Sequence, residues 1–238
     1  MKENSTFSAL ALGFFILLGL SALGWLLGNA AISFKEYERT VSVKGLSEKE
    51  YPADVVIWPI AFIEAGNDLG GIYTSLEQSA AKIRAFLDKQ GIPASEISLS
   101  PPAITDKSAQ SYGDATPPEF RYTGEQTVTV YSKNITAVRA VMNDLSQLGK
   151  QGIAFTGNNY QATEYLFTRL NEIKPEMIEE ATKNAREVAA KFAADSKSTL
   201  GKIKRASQGQ FTIEPRDNNN PHIKQVRVVS TVEYYLSD

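Results

Sequence analysis

His222 is the only imidazole in the 238 residues, and there is no cysteine. Those two facts remove most nucleophilic and metal chemistry at once. Thiol nucleophiles, disulfides, Cys/His zinc sites, iron–sulfur clusters and multi-histidine metal centres all need residues that the chain lacks. A Ser-His-Asp triad would have to use His222. That histidine follows the asparagine-rich run 216–221 (RDNNNP), which reads as a turn, so an exposed surface histidine is expected. No G-x-S-x-G elbow surrounds any serine, and no Walker loop, dinucleotide glycine fingerprint or EF-hand loop is present. Gly70-Gly71 precedes a helical stretch, where backbone N–H groups can cradle an anion. No lysine or second glycine set accompanies the pair, so a helix-entry turn is the better reading. Paired carboxylates, the residue types of a glycosidase, occur at Glu179-Glu180 and Glu48/Glu50. Their periodicity places them on solvated faces or turns. Lys202, Lys204 and Arg205 alternate with Ile203 as one solvent-facing side of a strand. No catalytic, cofactor-binding or metal residue is assigned, and no cofactor is expected.

The elements that must position these residues begin with an apolar segment. Only Lys2 and Glu3 are charged before Lys35, and residues 7–27 are almost unbroken apolar sequence. At a rise of about 1.5 Å per residue, such a stretch matches the roughly 30 Å hydrocarbon core of a bilayer. It is longer than a usual signal-peptide core and predicts an uncleaved single-pass anchor through residues 7–27. Gly28-Asn29-Ala30 offers a cleavage site, so a removed signal is the alternative. Lys and Arg nearly tie on the two flanks and do not set the orientation. A short N-terminal tail before a large C-terminal part favours export of the latter. The chain thus divides into residues 1–34, a cytoplasmic tail and signal anchor, and residues 35–238, an exported domain. Without the leader the net charge stays at −2, and no nucleic-acid partner is expected. Gly24-x-x-x-Gly28 has the spacing of close helix packing in membranes, though small residues are common in any such helix.

After the anchor, alternation predicts strands over 38–45 and 53–65, joined by a polar hairpin connection at 45–52. Pro59 points to an edge strand or a bulge. A helix is predicted over 69–90, with Leu76, Ala80, Ile83 and Leu87 on its core face. Strands follow at 96–105 and 120–132, separated by the loop 106–118, a hairpin tip or a partner-contacting loop. A second helix spans 134–149, capped by Asn134 in preference to that residue's role in a glycosylation sequon. One or two short strands lie in 153–167. A third helix covers 175–194, with Pro175 in its first turn and Met177, Ala181, Ala185, Val188 and Phe192 on its core side. Strands at 202–213 and 223–236 close the chain as a hairpin. Gly91-Ile92, Gly152-Ile153 and Leu200-Gly201 each follow a helix with stop-signal geometry. Convergent capping and an ancient duplication both account for the near-repeat. Strands mixed with fewer helices predict an α+β fold of mostly antiparallel sheets covered by about three helices.

Several stretches together resemble the SIMPL-domain family of YggE-like envelope proteins. Val41-Ser42-Val43-Lys44-Gly45 resembles its opening strand, and Leu87, Gly91 and Ile92 resemble the end of its first helix. Residues 179–213 resemble its alanine-rich helix and following strand, with Ala181, Ala185, Ala189, Leu200 and Gly201 in the matching places. Residues 226–236 resemble its closing strand. Ser47 stands where the family often has a second glycine, and the family's tight helix end is spread over 192–201. The resemblance implies an exported bacterial protein of the cell envelope, in the periplasm or outside the cell. It further implies ring-like or channel-like homo-oligomers, a link to oxidative-stress tolerance, and no established activity.

The reading is therefore a non-enzymatic, membrane-anchored, periplasm-facing protein that associates with itself through strand edges and helix faces. Its role in stress would be indirect, because a chain with no cysteine and three methionines has little redox chemistry of its own. A soluble periplasmic protein after signal cleavage is the alternative location. An envelope binding module for a small ligand or partner protein is the second functional reading, and a carboxylate-dependent hydrolase the third.

Overall fold

The computed structural model describes residues 3–36, 39–109, 119–156 and 162–237. The apolar leader is one helix, α1 (Glu3–Glu36). Within it Leu12–Ile32 is long and apolar enough to cross a membrane, with none of its side chains buried by protein. Both a membrane anchor and a signal sequence have this form. The rest is α+β with antiparallel sheets, as expected, and the chain divides into two compact units.

The first unit comprises Met1–Glu48, Ile173–Thr212 and Arg227–Asp238. Its strands come from β1 (Thr40–Pro52), β8 (Thr199–Gln208) and β10 (Ile223–Ser237), in the order β1-β10-β8, and its helix is most of α5 (Leu170–Asp195). The expected hairpin connection at 45–52 is absent, because β1 runs unbroken through it. Val43, Gly45 and Ser47 are buried and alternate with exposed Ser42, Lys44, Leu46 and Glu48. Small inward residues carry little hydrophobic signal, which hides the strand from a reading of apolar periodicity. A Cβ on Gly45 would overlap the Ala181 carbonyl oxygen and the Ala185 nitrogen. Glycine therefore lets β1 and α5 approach backbone to backbone.

The inward face of α5 is Met177, Ala181, Ala185, Ala189 and Ala193, all essentially buried. Val188 is 38% exposed and Phe192 55%, so both leave the core side assigned to them. Reading for large apolar residues selects those two, whereas from Ala181 onward the buried positions are all alanine. The helix also begins one turn earlier than expected. Pro175 therefore sits inside it, where a missing N–H costs a hydrogen bond that a first-turn proline would not.

The second unit comprises Lys49–Glu172 and Ile213–Val226. Its centre is β2 (Val55–Gly66), paired along nearly its whole length with β5 (Tyr122–Ser132), from Val56 opposite Ser132 to Gly66 opposite Tyr122. Pro59 thus lies in a central strand with no bulge against β5. On the other side β2 pairs with β6 (Ala154–Phe155) at Phe62 and Ile63, and with β7 (Glu164–Leu166) at Val55–Ile57. Pro59 falls in the gap between these two short partners, which tolerates a residue without an N–H. The predicted strand 96–105 is split by Ser100-Pro101-Pro102 into β3 (Ile97–Leu99) and β4 (Ala103–Asp106), both paired with β5. Residues 110–118, most of the predicted loop, lie outside the described residues.

The core of this unit joins Val56, Trp58, Ile60 and Phe62 of β2 and Val128 and Val130 of β5 to α2 (Leu69–Lys89). Leu76, Ala80, Ile83 and Leu87 face inward as the spacing predicted. Asp68 caps α2 by accepting from the Gly71 N–H at 2.6 Å. Gly70-Gly71 is thus the capped entry turn of a helix. The expected helix 134–149 is broken into α3 (Ile135–Asn143) and α4 (Ser146–Gly149), and Asn134 caps α3 through the Ala137 N–H.

Three helix ends share one geometry. At Gly91 (φ 85°) the N–H groups of Gly91 and Ile92 donate to Asp88 and Leu87. Gly152 (φ 88°) and Ile153 repeat this against Gly149 and Leu148. At the end of α5 the same pair of bonds is made by Lys197 and Ser198 to Ala194 and Ala193, with Lys197 at φ 55°. All three are Schellman stops. The third uses a lysine, not Leu200-Gly201 as expected. Gly201 instead lies in β8, where a Cβ would press on Tyr235.

Candidate functional site

The histidine is not a free surface group. In the second unit its ring is half-buried, 6.0 Å from the Tyr165 ring, and its Nε2 lies 3.0 Å from the Arg139 guanidinium. A guanidinium only donates, so Nε2 accepts and the proton sits on Nδ1, which is buried without a partner. Burial pushes the His222 pKa down, and the charges of Arg139 and Arg216 push it the same way. Nearby, Lys224 is almost fully buried and its pKa is also lowered by burial, partly opposed by Glu164. A histidine whose lone pair is already taken by arginine is a poor general base. Among the described residues no serine hydroxyl bonds to it, so the triad geometry is not formed.

The adjoining turn is held by Asp217. Its carboxylate accepts from the Asn219 and Asn220 N–H groups at 2.9 and 2.8 Å and from Arg216 Nε at 2.8 Å. The Arg216 hydrogen bond, with those of the asparagine turn, holds the Asp217 pKa down at about 2.

The carboxylate pairs are not brought together as catalytic pairs. Glu180 accepts from the buried Ser47 hydroxyl at 2.9 Å, while its neighbour Glu179 is exposed. Glu48 pairs with Arg227 at 3.8 Å and Glu50 with Arg216 at 3.5 Å. No group of three His, Cys, Asp or Glu poised to hold a metal occurs among the described residues.

The most unusual surface is β8. It pairs antiparallel with β10, from Ser230 opposite Gln208 to Ser237 opposite Thr199, and ends the sheet. Nine of its ten residues are exposed, and the tenth, Leu200, is half-buried. Lys202, Lys204 and Arg205 do lie on this strand, but the expected single solvent-facing side is two. Register shifts near Glu233 and Tyr234 break the simple alternation, and Ile203 is left 48% exposed. Lys204 reaches Glu233 at 3.3 Å. Sequence patterning missed this because a strand open on both faces and a strand open on one share the same alternation.

An antiparallel sheet ending in an uncovered strand, beside a helix seated on alanines, defines an α+β scaffold without an assembled catalytic centre among the described residues. The chain belongs to the SIMPL family, described as proteins of unknown function (DUF541), which it matches over residues 41–233. The match takes in nearly all of the opening strand, the alanine-faced helix and most of the closing strand. No curated protein matches the chain.

Proposed function

We propose that this SIMPL-domain chain is a membrane-attached, non-enzymatic protein that assembles with copies of itself through the free edge of β8. The carrying observation is that, among the described residues, β8 is hydrogen-bonded on one side only and exposed on both faces. An unpaired row of N–H and C=O groups is a template for another strand. Two copies of β8 set against each other would bring Lys202, Lys204 and Arg205 close to their own equivalents. The opposite end of the sheet is β1, whose exposed Glu48 and Glu50 are acidic. Pairing β8 of one copy with β1 of the next matches charge, and a head-to-tail contact of this kind forms a ring when the rotation between copies completes a circle.

In this reading α1 ties residues 35–238 to the cytoplasmic membrane, with the C-terminal part in the periplasm or outside the cell. Signal cleavage would leave the same assembly soluble. A contribution to oxidative-stress tolerance would be indirect. The test is the absolute mass of the full chain in neutral detergent by light scattering, with electron microscopy of the peak. A discrete multimer is expected. E48K/E50K should dissociate it, and adding K204E/R205E should restore it. A monomer at high concentration would sink the proposal.

A further inference from the structure

The flank of α5 that faces β8 is separated from that strand by a cleft of about 550 Å³ within the first unit. Its helix side is Glu179, Thr182, Lys183 and Arg186, and its strand side is Gly201, Lys202 and Ile203. Three cations stand against one acid, in a chain whose net charge is −2. None of the three cations has an ion-pair or hydrogen-bond partner among the described residues. The other half of the chemistry is Tyr234, which also lines the cleft. It is 2% exposed, and its hydroxyl is buried without a hydrogen-bond partner. A buried tyrosine hydroxyl almost always finds a partner, because leaving it unpaired forfeits the hydrogen bond it had to water. The exposed Ile203 side chain adds apolar surface beside that ring.

We infer that this cleft is a binding site for a small organic anion, a phosphate or carboxylate borne on an apolar body. Its charged group would sit among Lys183, Arg186 and Lys202. Its body would lie on Ile203, with an oxygen accepting the Tyr234 O–H at the cleft wall. The volume is that of an ordinary small-molecule site, and guanidinium and ammonium donors give the strongest hydrogen bonds to such oxygens. All its residues belong to one chain, and since Lys202 and Ile203 also lie on β8, loss of ligand binding in a variant that keeps the multimer mass separates this inference from the strand-edge assembly.

The test is calorimetric titration of the full chain, in neutral detergent, with phenyl phosphate. One saturable site per chain is expected, with inorganic phosphate and benzyl alcohol each binding at least about tenfold more weakly, since each offers half of the contacts. R186E/K202E, at two exposed positions, should abolish measurable binding. Y234F should weaken it by about three- to tenfold, the range for one lost hydrogen bond. Because the hydroxyl has no partner in the chain, Y234F should leave the melting temperature unchanged or raised, which a merely structural tyrosine would not do. Dihexanoylphosphatidylglycerol, a short-chain anionic lipid, separates the sources. If it displaces phenyl phosphate the natural ligand is a lipid headgroup, and if it does not the ligand is a soluble anion. Absence of saturable phenyl phosphate binding, or binding unchanged in R186E/K202E, overturns the inference.

Discussion

Gly45 on β1 lies so close to Ala181 on α5 that no side chain fits between them. The helix backbone is the obstacle, and it cannot rotate aside as a flexible side chain would. Gly45→Ala should therefore destabilise by about 3 kcal/mol or more, at or beyond the upper end for overpacking. Chemical denaturation would measure it. A loss below about 1 kcal/mol would mean that α5 rides more loosely on the sheet than described.

Ser47 stands two residues on, on the same inward face, and is 1% exposed. Its hydroxyl donates to Glu180 at 2.9 Å. Ser47→Ala should cost about 1–2 kcal/mol, because it removes a hydrogen bond to a charged, partly buried carboxylate. Ser47→Gly should cost a similar amount by the same loss. Equal stability of Ser47→Ala and the parent would show that Glu180 is satisfied without the serine.

The three helix ends predict opposite effects from related changes. Gly91→Ala and Gly152→Ala place a Cβ at positive φ and should each destabilise by about 1 kcal/mol. Lys197→Gly should stabilise by about 0.5–1 kcal/mol, since it removes the strain of a left-handed lysine. Thermal unfolding of the three variants checks the sign directly. A destabilised Lys197→Gly would show that the lysine side chain contributes more than its backbone costs.

His222 should make stability sensitive to mild acid. Its folded pKa lies below the ordinary 6.5. As pH falls through 6.5 the unfolded chain takes up the proton first, so stability declines from there until the folded pKa is passed. His222→Gln should flatten this part of the profile between pH 8 and 5. Arg139→Ala should flatten it partly, by letting the folded histidine accept its proton earlier. Melting temperatures across that range test both, and identical slopes for parent and His222→Gln would refute the assignment.

The Asp217 turn acts at lower pH. Its carboxyl is held at about 2, below the ordinary 3.8. The stabilisation is complete above 3.8 and lost as pH falls through about 2. Asp217→Asn should remove this dependence while destabilising the β9–β10 connection at neutral pH, where β9 is Thr212–Pro215. Hydrogen exchange at the Ile223 and Asn220 amides would localise the effect.

Much of the scaffold is legible before any coordinates, where large apolar residues repeat at a clear period. The buried row of α2 and the alternation of β5 are examples, and Asn134 is recognisable as a cap. Legibility fails where burial belongs to small or polar residues. Gly45 and Ser47 made half of β1 look like a connection, and Ala189 and Ala193 lost their places to Val188 and Phe192. It fails again where a backbone outcome depends on context. Lys197 takes a conformation usually left to glycine, and Pro59 occupies a central strand only because β6 and β7 leave a gap opposite it. The uncovered β8 and the unpartnered Tyr234 hydroxyl are products of tertiary arrangement, with no local signature to betray them.

The alanine row of α5 carries one further consequence. Ala181, Ala185, Ala189 and Ala193 repeat every four residues, so a helix slid along its own axis by one turn would present nearly the same small surface to the sheet. Packing alone is then close to indifferent between neighbouring alignments, much as a smooth rail is indifferent to where a carriage stops. The non-repeating contacts must choose the stopping point: bulky Met177 at one end, the Ser47–Glu180 bond, and the Asn184 amide donating to the Leu46 carbonyl at 2.8 Å. Their main role is then to select one alignment among near-equals, so losing them together should yield a helix that is still folded and docked but no longer uniquely placed.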